Sequence, residues 1–185
     1  MAKVAVLLAD GFEEVEAMAI VDVLRRAEIE VVIAALREGL VVSARKVKIE
    51  PDALVDTVNA DDFDMIVLPG GQPGSDNLNA DSRVKNLIQD FNKKGKLTGA
   101  ICAAPYVLAN AGILKGKKAT AYPGFQQKMG DIVYEEKSVV SDGTVLTSRG
   151  PGTALCFALA IVEKLAGSDR AAQIKAAMLI TQPCD

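Results

Sequence analysis

A chain of 185 residues suits one domain and can bury a core that stands without metals or disulfides. Half of its residues are apolar but only 4% are aromatic, an Ala, Val, Ile and Leu mixture typical of parallel sheets covered by helices. With 21 basic against 24 acidic residues and no basic block, it lacks the electrostatic footprint of a nucleic-acid binder.

Apolar runs of strand length alternate with segments of helical period along the whole chain. Val4–Ala9 reads as a buried strand, too short for a signal-peptide core and closed by Asp10. Glu13–Ala27 follows as a helix, with Val15, Ala19, Ile20, Val23, Leu24 and Ala27 on one face. Glu30–Leu36 is a second strand, and Leu40 to Ile49 a short hairpin or edge. Asp64–Leu68 is a strand closed by Pro69-Gly70-Gly71, Asp81–Asn92 is helical, and Lys96–Ile101 is a strand that runs into Cys102. Ala103–Asn110 is helical again. Short strands are expected at Ala119–Ala121, Ser138–Val140 and Thr144–Leu146, the last two joined at Ser141-Asp142-Gly143. Gly150-Pro151-Gly152 opens a long helix, Thr153–Ala166, where a proline just inside the start is favourable, and Asp169–Ile180 forms a terminal helix. This alternation predicts an α/β three-layer sandwich over 1–185, a mostly parallel sheet with helices on both faces. No stretch is long and apolar enough to span a bilayer, and a reducing cytoplasm is the expected location.

Several chemistries are excluded by residue type. There is no histidine, which removes the commonest zinc ligand and the commonest general base together. The three cysteines, Cys102, Cys156 and Cys184, have no zinc-finger or CxxC spacing, and their odd number does not suggest a disulfide framework. Cys156 reads as helix packing and Cys184 as an exposed terminal thiol. No metal and no cofactor is expected.

Sites in such sheets form at the carboxyl ends of the strands, where four segments fall: Gly11–Glu16, Pro69–Ser75, Cys102–Pro105 and Ser148–Thr153. Cys102, between a strand and a helix and flanked by Gly99, Ala100, Ala103 and Ala104, has the layout of a nucleophile elbow. A helix N-terminus behind the sulfur favours thiolate over thiol, so its pKa is expected below that of free cysteine. Glu13, Glu14 and Glu16 open the first helix; any one of them turned inward would stay partly protonated, donate a hydrogen bond to the thiolate and exchange protons with substrate. The Gly70–Ser75 run fits neither dinucleotide nor phosphate fingerprints, but suits close backbone approach, with the Gly71 N–H helping to form an oxyanion hole. Tyr122-Pro123 lies at another strand end, where the phenol would bond a ligand or pack.

Taken in order, GFEEVE (11–16), VDVLRRA (21–27), VLPGG (67–71), GAICAAP (99–105), TSRGPGT (147–153) and FALAIVE (157–163) resemble the DJ-one/ThiJ/PfpI superfamily. Within it they are most similar to the DJ-one branch, that of the Parkinsonism-associated protein deglycase and its bacterial relatives. The resemblance implies a flavodoxin-like sandwich and a homodimer with sites near the interface. It puts Cys102 on the oxidisable nucleophile and Glu16 on the buried glutamate bonded to it. Gly70 and Gly71 fall on the oxyanion-hole loop, with the Ala103 N–H as a second donor. Arg45 falls on an arginine that approaches the neighbouring subunit's site, and Arg149 and Pro151 on the segment by the dimer interface. Many members carry His-Pro where this chain has Tyr122-Pro123, so a Cys–His pair is impossible here: either Glu16 alone carries the proton transfers, or turnover is slow and oxidation sensing dominates. The implied activity is that of a cofactor-independent glyoxalase and deglycase acting on small reactive aldehydes or their glycated adducts. The alternative is a non-enzymatic oxidative-stress sensor or redox-regulated chaperone working through Cys102. A cysteine peptidase is disfavoured, since it needs a histidine to protonate the leaving amine.

Overall fold

The computed structural model describes residues 1–184. Its centre is a seven-stranded sheet built from β1 (Lys3–Leu8), β2 (Glu30–Ala35), β5 (Ala53–Leu54), β6 (Met65–Leu68), β7 (Leu97–Ile101), β10 (Val139–Asp142) and β11 (Val145–Ser148). The strand order is β10-β11-β7-β6-β1-β2-β5, and only the β10–β11 pair is antiparallel. From β2 to β11 this is the flavodoxin-like order, with its switch point between β1 and β6. Two small ribbons lie outside the main sheet: β3 (Val41–Val42) with β4 (Lys48–Ile49), and β8 (Lys118–Ala119) with β9 (Val133–Tyr134).

The near-continuous apolar strands follow from burial on both faces. Alternate side chains of β1 enter opposite cores. Val4, Val6 and Leu8 meet α1 (Glu14–Arg26) and α5 (Ala154–Ala166), with α6 (Ser168–Ala177) packed outside; Ala5, Leu7 and Ala9 meet α3 (Ser82–Lys93) and α4 (Pro105–Asn110). α3 is capped as its sequence requires, the Asp81 carboxylate accepting the Arg83 N–H at 2.9 Å. No helix among the described residues is long and apolar enough to cross a membrane.

The departures from expectation lie in short or locally weak segments. A helix α2 (Gly74–Ala80) forms where only a glycine-rich loop was expected. Glycine and asparagine are poor helix formers, but buried Leu78 and the Ser75 N–H to Gly71 O bond of 2.9 Å fix the turn. The two-residue strands β5 and β9 carry no periodicity to read. The β10–β11 turn falls at Gly143-Thr144, and β10 extends through Asp142. α4 starts at Pro105, two residues later than expected, because Ala103 and Ala104 complete the turn after Cys102. α6 stops at Ala177, where the chain reverses through Leu179 at φ 55°.

That reversal overturns the expectation for two cysteines. It carries the tail back onto α5, where Cys184 is disulfide-bonded to Cys156, 28 residues earlier. Cys156 is buried and Cys184 exposed as expected, but neither is a free thiol. A partner so distant in sequence leaves no spacing motif; the fold alone makes the pair.

Candidate active site

Cys102 follows β7 with φ 64°, a left-handed conformation rare for a residue bearing a side chain. Such strain costs about 1–3 kcal/mol and persists only where neighbours over-determine it. They do so here: the Cys102 N–H donates to Ser148 O on β11 at 2.9 Å, and its carbonyl accepts the Tyr122 N–H at 2.8 Å. The left-handed turn between β7 and the following helix is the backbone geometry expected of an elbow, and the side chain is partly buried there.

Of the three carboxylates at the head of α1, only Glu16 is fully buried; Glu13 and Glu14 stay half exposed. Glu16 Oε2 accepts the Gly70 N–H at 2.7 Å. Its Oε1 is buried with no hydrogen-bond partner, and the Cys102 side chain stands across Gly70 from the carboxyl. Burial pushes the Glu16 carboxyl up to about 7, against the pull of the Gly70 amide and the nearby Cys102 thiol and with a small push from Glu13.

The thiol departs from expectation. Burial, then the Glu16 charge and hydrogen bond, push Cys102 up to about 12, and the Gly71 and Ala103 amides only partly oppose this. The helix behind it spans six residues and begins three positions later, so it does not offset desolvation. Near neutrality the site therefore holds a protonated thiol beside a carboxyl close to its own midpoint.

The glycine loop after β6 makes this juxtaposition possible. A Cβ on Gly70 would lie 2.6 Å from Cys102 Cβ and 2.8 Å from Glu16 Oε2, between the two reacting groups. Gly71 sits at φ 91°, and a Cβ there would strike the Gly11–Glu13 backbone, 2.6 Å from Gly11 O. The Gly71 and Ala103 amides favour a charged sulfur, whereas the Gly70 N–H is committed to Glu16. Gly70 thus positions the carboxyl and has no N–H left for an oxyanion.

The remaining candidates stand around this pair. Tyr122, 47% exposed, lies against Gly150 and lines a cavity of about 260 Å³ with Pro123, Arg149, Pro151 and Thr153. One wall of that cavity starts at Tyr122, whose N–H donates to the Cys102 carbonyl, and the other follows Ser148, whose carbonyl accepts the Cys102 N–H. Arg149 pairs with Glu136 at 3.0 Å, and Pro151 is exposed. Arg45 is exposed on the turn between β3 and β4; the neighbouring Ala44 N–H donates to Phe12 O at 2.8 Å, which ties that hairpin to the loop before Glu16. Sequence reasoning missed Ser148 as a support of the nucleophile. Its carbonyl holds Cys102 while its hydroxyl bonds Ser138 O at 2.6 Å and Thr153 Oγ1 at 2.7 Å. A larger cavity, about 440 Å³ beside Asp10, Arg37 and Arg83, holds no nucleophile, and its charges are paired with one another or with Asp56 and Asp81. Among the described residues no cluster of acidic or sulfur side chains is arranged to hold a metal.

Comparison with known proteins fits this geometry. Residues 2–164 match the DJ-1/PfpI family. The chain is 46% identical over 180 residues to protein DJ-1 homolog B of Arabidopsis thaliana, covering 96% of this chain but 41% of that longer protein. It is 45% identical over 178 residues to protein dj-1beta of Drosophila melanogaster, covering 95% of each. The crystal structure of Drosophila DJ-1beta superposes with a TM-score of 0.94 over 98% of this chain and 99% of that one. Toxoplasma gondii DJ-1, solved in an oxidised form, matches with the same TM-score of 0.94 at 36% identity, over 98% of this chain and 100% of that one. Similarity of this degree, sustained along the sequence and carried by the same fold, leads to one conclusion: the chain belongs to the DJ-1/PfpI family.

Proposed function

We propose that this chain is a cofactor-independent glyoxalase for glyoxal and methylglyoxal, with deglycase activity on their early adducts. The observation that carries the reading is the buried Glu16 carboxyl, raised to about 7, coupled to the Cys102 thiol. As sulfur attacks the aldehyde carbon, the thiol proton passes to the Glu16 carboxylate and the carbonyl oxygen becomes an oxyanion beside the Gly71 and Ala103 amides. That oxygen takes the proton from Glu16 to give a hemithioacetal. Glu16 then removes the hydrogen on the same carbon, giving an enediolate, and returns it to the adjacent carbon while the hydroxyl proton passes to the neighbouring oxygen, leaving a thioester. Water hydrolyses the thioester, releasing glycolate or lactate and the free thiol. The sequence is redox-neutral and needs no group beyond one thiol, one carboxyl and two amides.

The test is a methylglyoxal assay on the wild type, Cys102→Ser and Glu16→Gln. Loss of a general base costs about 10²–10⁴-fold, and both variants are expected to fall by at least that much. The active form has Glu16 ionised, so wild-type kcat/KM should rise with pH through about 7 and then level. Turnover that survives in Cys102→Ser would end the proposal.

A second reading, an oxidation sensor, is favoured by the same two amides and by a protonated Glu16, which together would hold the oxygens of a Cys102 sulfinate. Mild peroxide should then modify Cys102, as read by peptide mass spectrometry; an unmodified Cys102 removes this reading. Val15, Leu40 and Val47 are exposed apolar side chains that the homodimer implied by the resemblance could cover. Light scattering should accordingly give twice the 19.5 kDa chain mass.

A further inference from the structure

Away from the elbow, the chain carries one bonded pair of cysteines. Cys156, in the first turn of α5, is only 2% exposed, while Cys184 lies open to solvent in the tail. The Ile180 N–H donates to Lys175 O at 3.0 Å, closing α6, and the tail returns to α5, where the two Cα atoms of the disulfide stand 5.2 Å apart. Both cysteines line a cavity of about 250 Å³ between α5 and α6, with Leu159, Ala160, Ala171 and Lys175.

We propose that Cys156–Cys184 is a reversible thiol-exchange clasp, opened by a small external thiol at Cys184, which makes the C-terminal tail a redox-set strap on α5 and α6. The asymmetry of exposure fixes the direction of exchange. An incoming thiolate reaches only the Cys184 sulfur. A bond forms between the two, the Cys156–Cys184 bond breaks, and Cys156 leaves with the electron pair and takes a proton from solvent. The external thiol remains on Cys184 as a mixed disulfide. A second thiol attacks the external sulfur of that mixed disulfide, releasing Cys184 as a thiol and the two small thiols as their disulfide. Two external thiols are oxidised and the protein disulfide is reduced; a small-molecule disulfide runs the steps backwards. This reconciles a disulfide with the reducing compartment expected from sequence, where the clasp would stand open. Cys102 takes no part, and the clasp is independent of the glyoxalase reading.

The full-length, air-oxidised chain, as wild type and Cys102→Ala, is titrated with reduced glutathione, acid-quenched, alkylated and peptide-mapped. Glutathione should appear on Cys184 with an equal amount of alkylated Cys156, and both cysteines should be alkylated at higher ratios. The Ile180 amide, the last one hydrogen-bonded before the tail, should lose hydrogen-exchange protection on opening while β7 keeps its own, and oxidised glutathione should restore the clasp. Cys184→Ser should show the released tail permanently and capture no glutathione at the terminus. Glutathione found on Cys156, opening only after denaturation, or free Cys156 and Cys184 after equilibration with oxidised glutathione would each overturn the proposal. Cys102→Ala separates the two ideas: it should lose aldehyde turnover and keep the clasp.

Discussion

Replacing Glu16 by glutamine gives a measurement of the buried carboxyl that requires no substrate. The folded chain binds a proton at Glu16 up to about 7, whereas the unfolded chain releases it near an ordinary 4.5. Between those values folding takes up a proton, so the contribution of this group to stability is most favourable below 4.5, falls as pH rises, and is level above about 7. Each pH unit of that interval is worth about 1.4 kcal/mol, which puts the whole fall at about 3 kcal/mol. Glutamine keeps an oxygen for the Gly70 N–H and has no proton to lose, so the fall should vanish in the variant. Urea unfolding of both proteins from about pH 5 to about pH 8 reads the effect as a difference between two curves, in which all other titrations cancel. The wild type should lose about 2–3 kcal/mol relative to Glu16→Gln across that range. Parallel curves would show that Glu16 ionises normally in the fold, and the proton-sharing pair would have no physical basis.

Further consequences concern the surroundings of the pair. Gly71→Ala adds a methyl at φ 91° against the Gly11–Glu13 backbone, and should cost at least about 2 kcal/mol in chemical melts while also spoiling the sulfur-facing amide. Cys184→Ser opens a 28-residue loop, and the chain-entropy account predicts a loss of about 3–4 kcal/mol against the oxidised wild type. The same loss should appear when the wild type is melted with reductant, and a wild type indifferent to reductant would contradict it.

The central sheet was legible because its strands are buried on both faces. A run such as Val4–Ala9 has no exposed side to dilute its apolar character, and the helices between strands repeat at their own period. The elbow was legible for the same reason, as a small-residue break between one strand and one helix. What the sequence did not disclose depends on contacts distant along the chain. β5 is a strand only because β2 offers it two partners, and α2 is a helix only because Leu78 finds the core. Cys156 and Cys184 meet only because the chain reverses after α6. The reversed direction of the Cys102 shift has the same origin. Local reasoning saw a helix terminus, while the dominant influences are burial and a carboxylate from an element 86 residues earlier in the chain, Cys102 minus Glu16. Composition showed three glutamates alike; only the packing of α1 against the sheet distinguishes the one that turns inward.

The high thiol pKa also constrains how the two functional readings are to be separated. A thiol held near about 12 is a poor nucleophile toward aldehyde or peroxide until it gives up its proton, and Glu16 is the base within reach. Both chemistries therefore begin with the same transfer, and both should accelerate as Glu16 ionises through about 7. They diverge afterwards. Oxidation needs no further help from the carboxyl, whereas the aldehyde route needs Glu16 again to carry hydrogen from one carbon to the next. In Glu16→Gln, alkaline pH supplies the first transfer through hydroxide but not the second. Peroxide oxidation of Cys102 should thus recover in that variant as pH rises, while aldehyde turnover stays down by about 10²–10⁴-fold. Equal recovery of both would mean that Glu16 serves only to deprotonate the thiol and that the carbon-to-carbon transfer has another base.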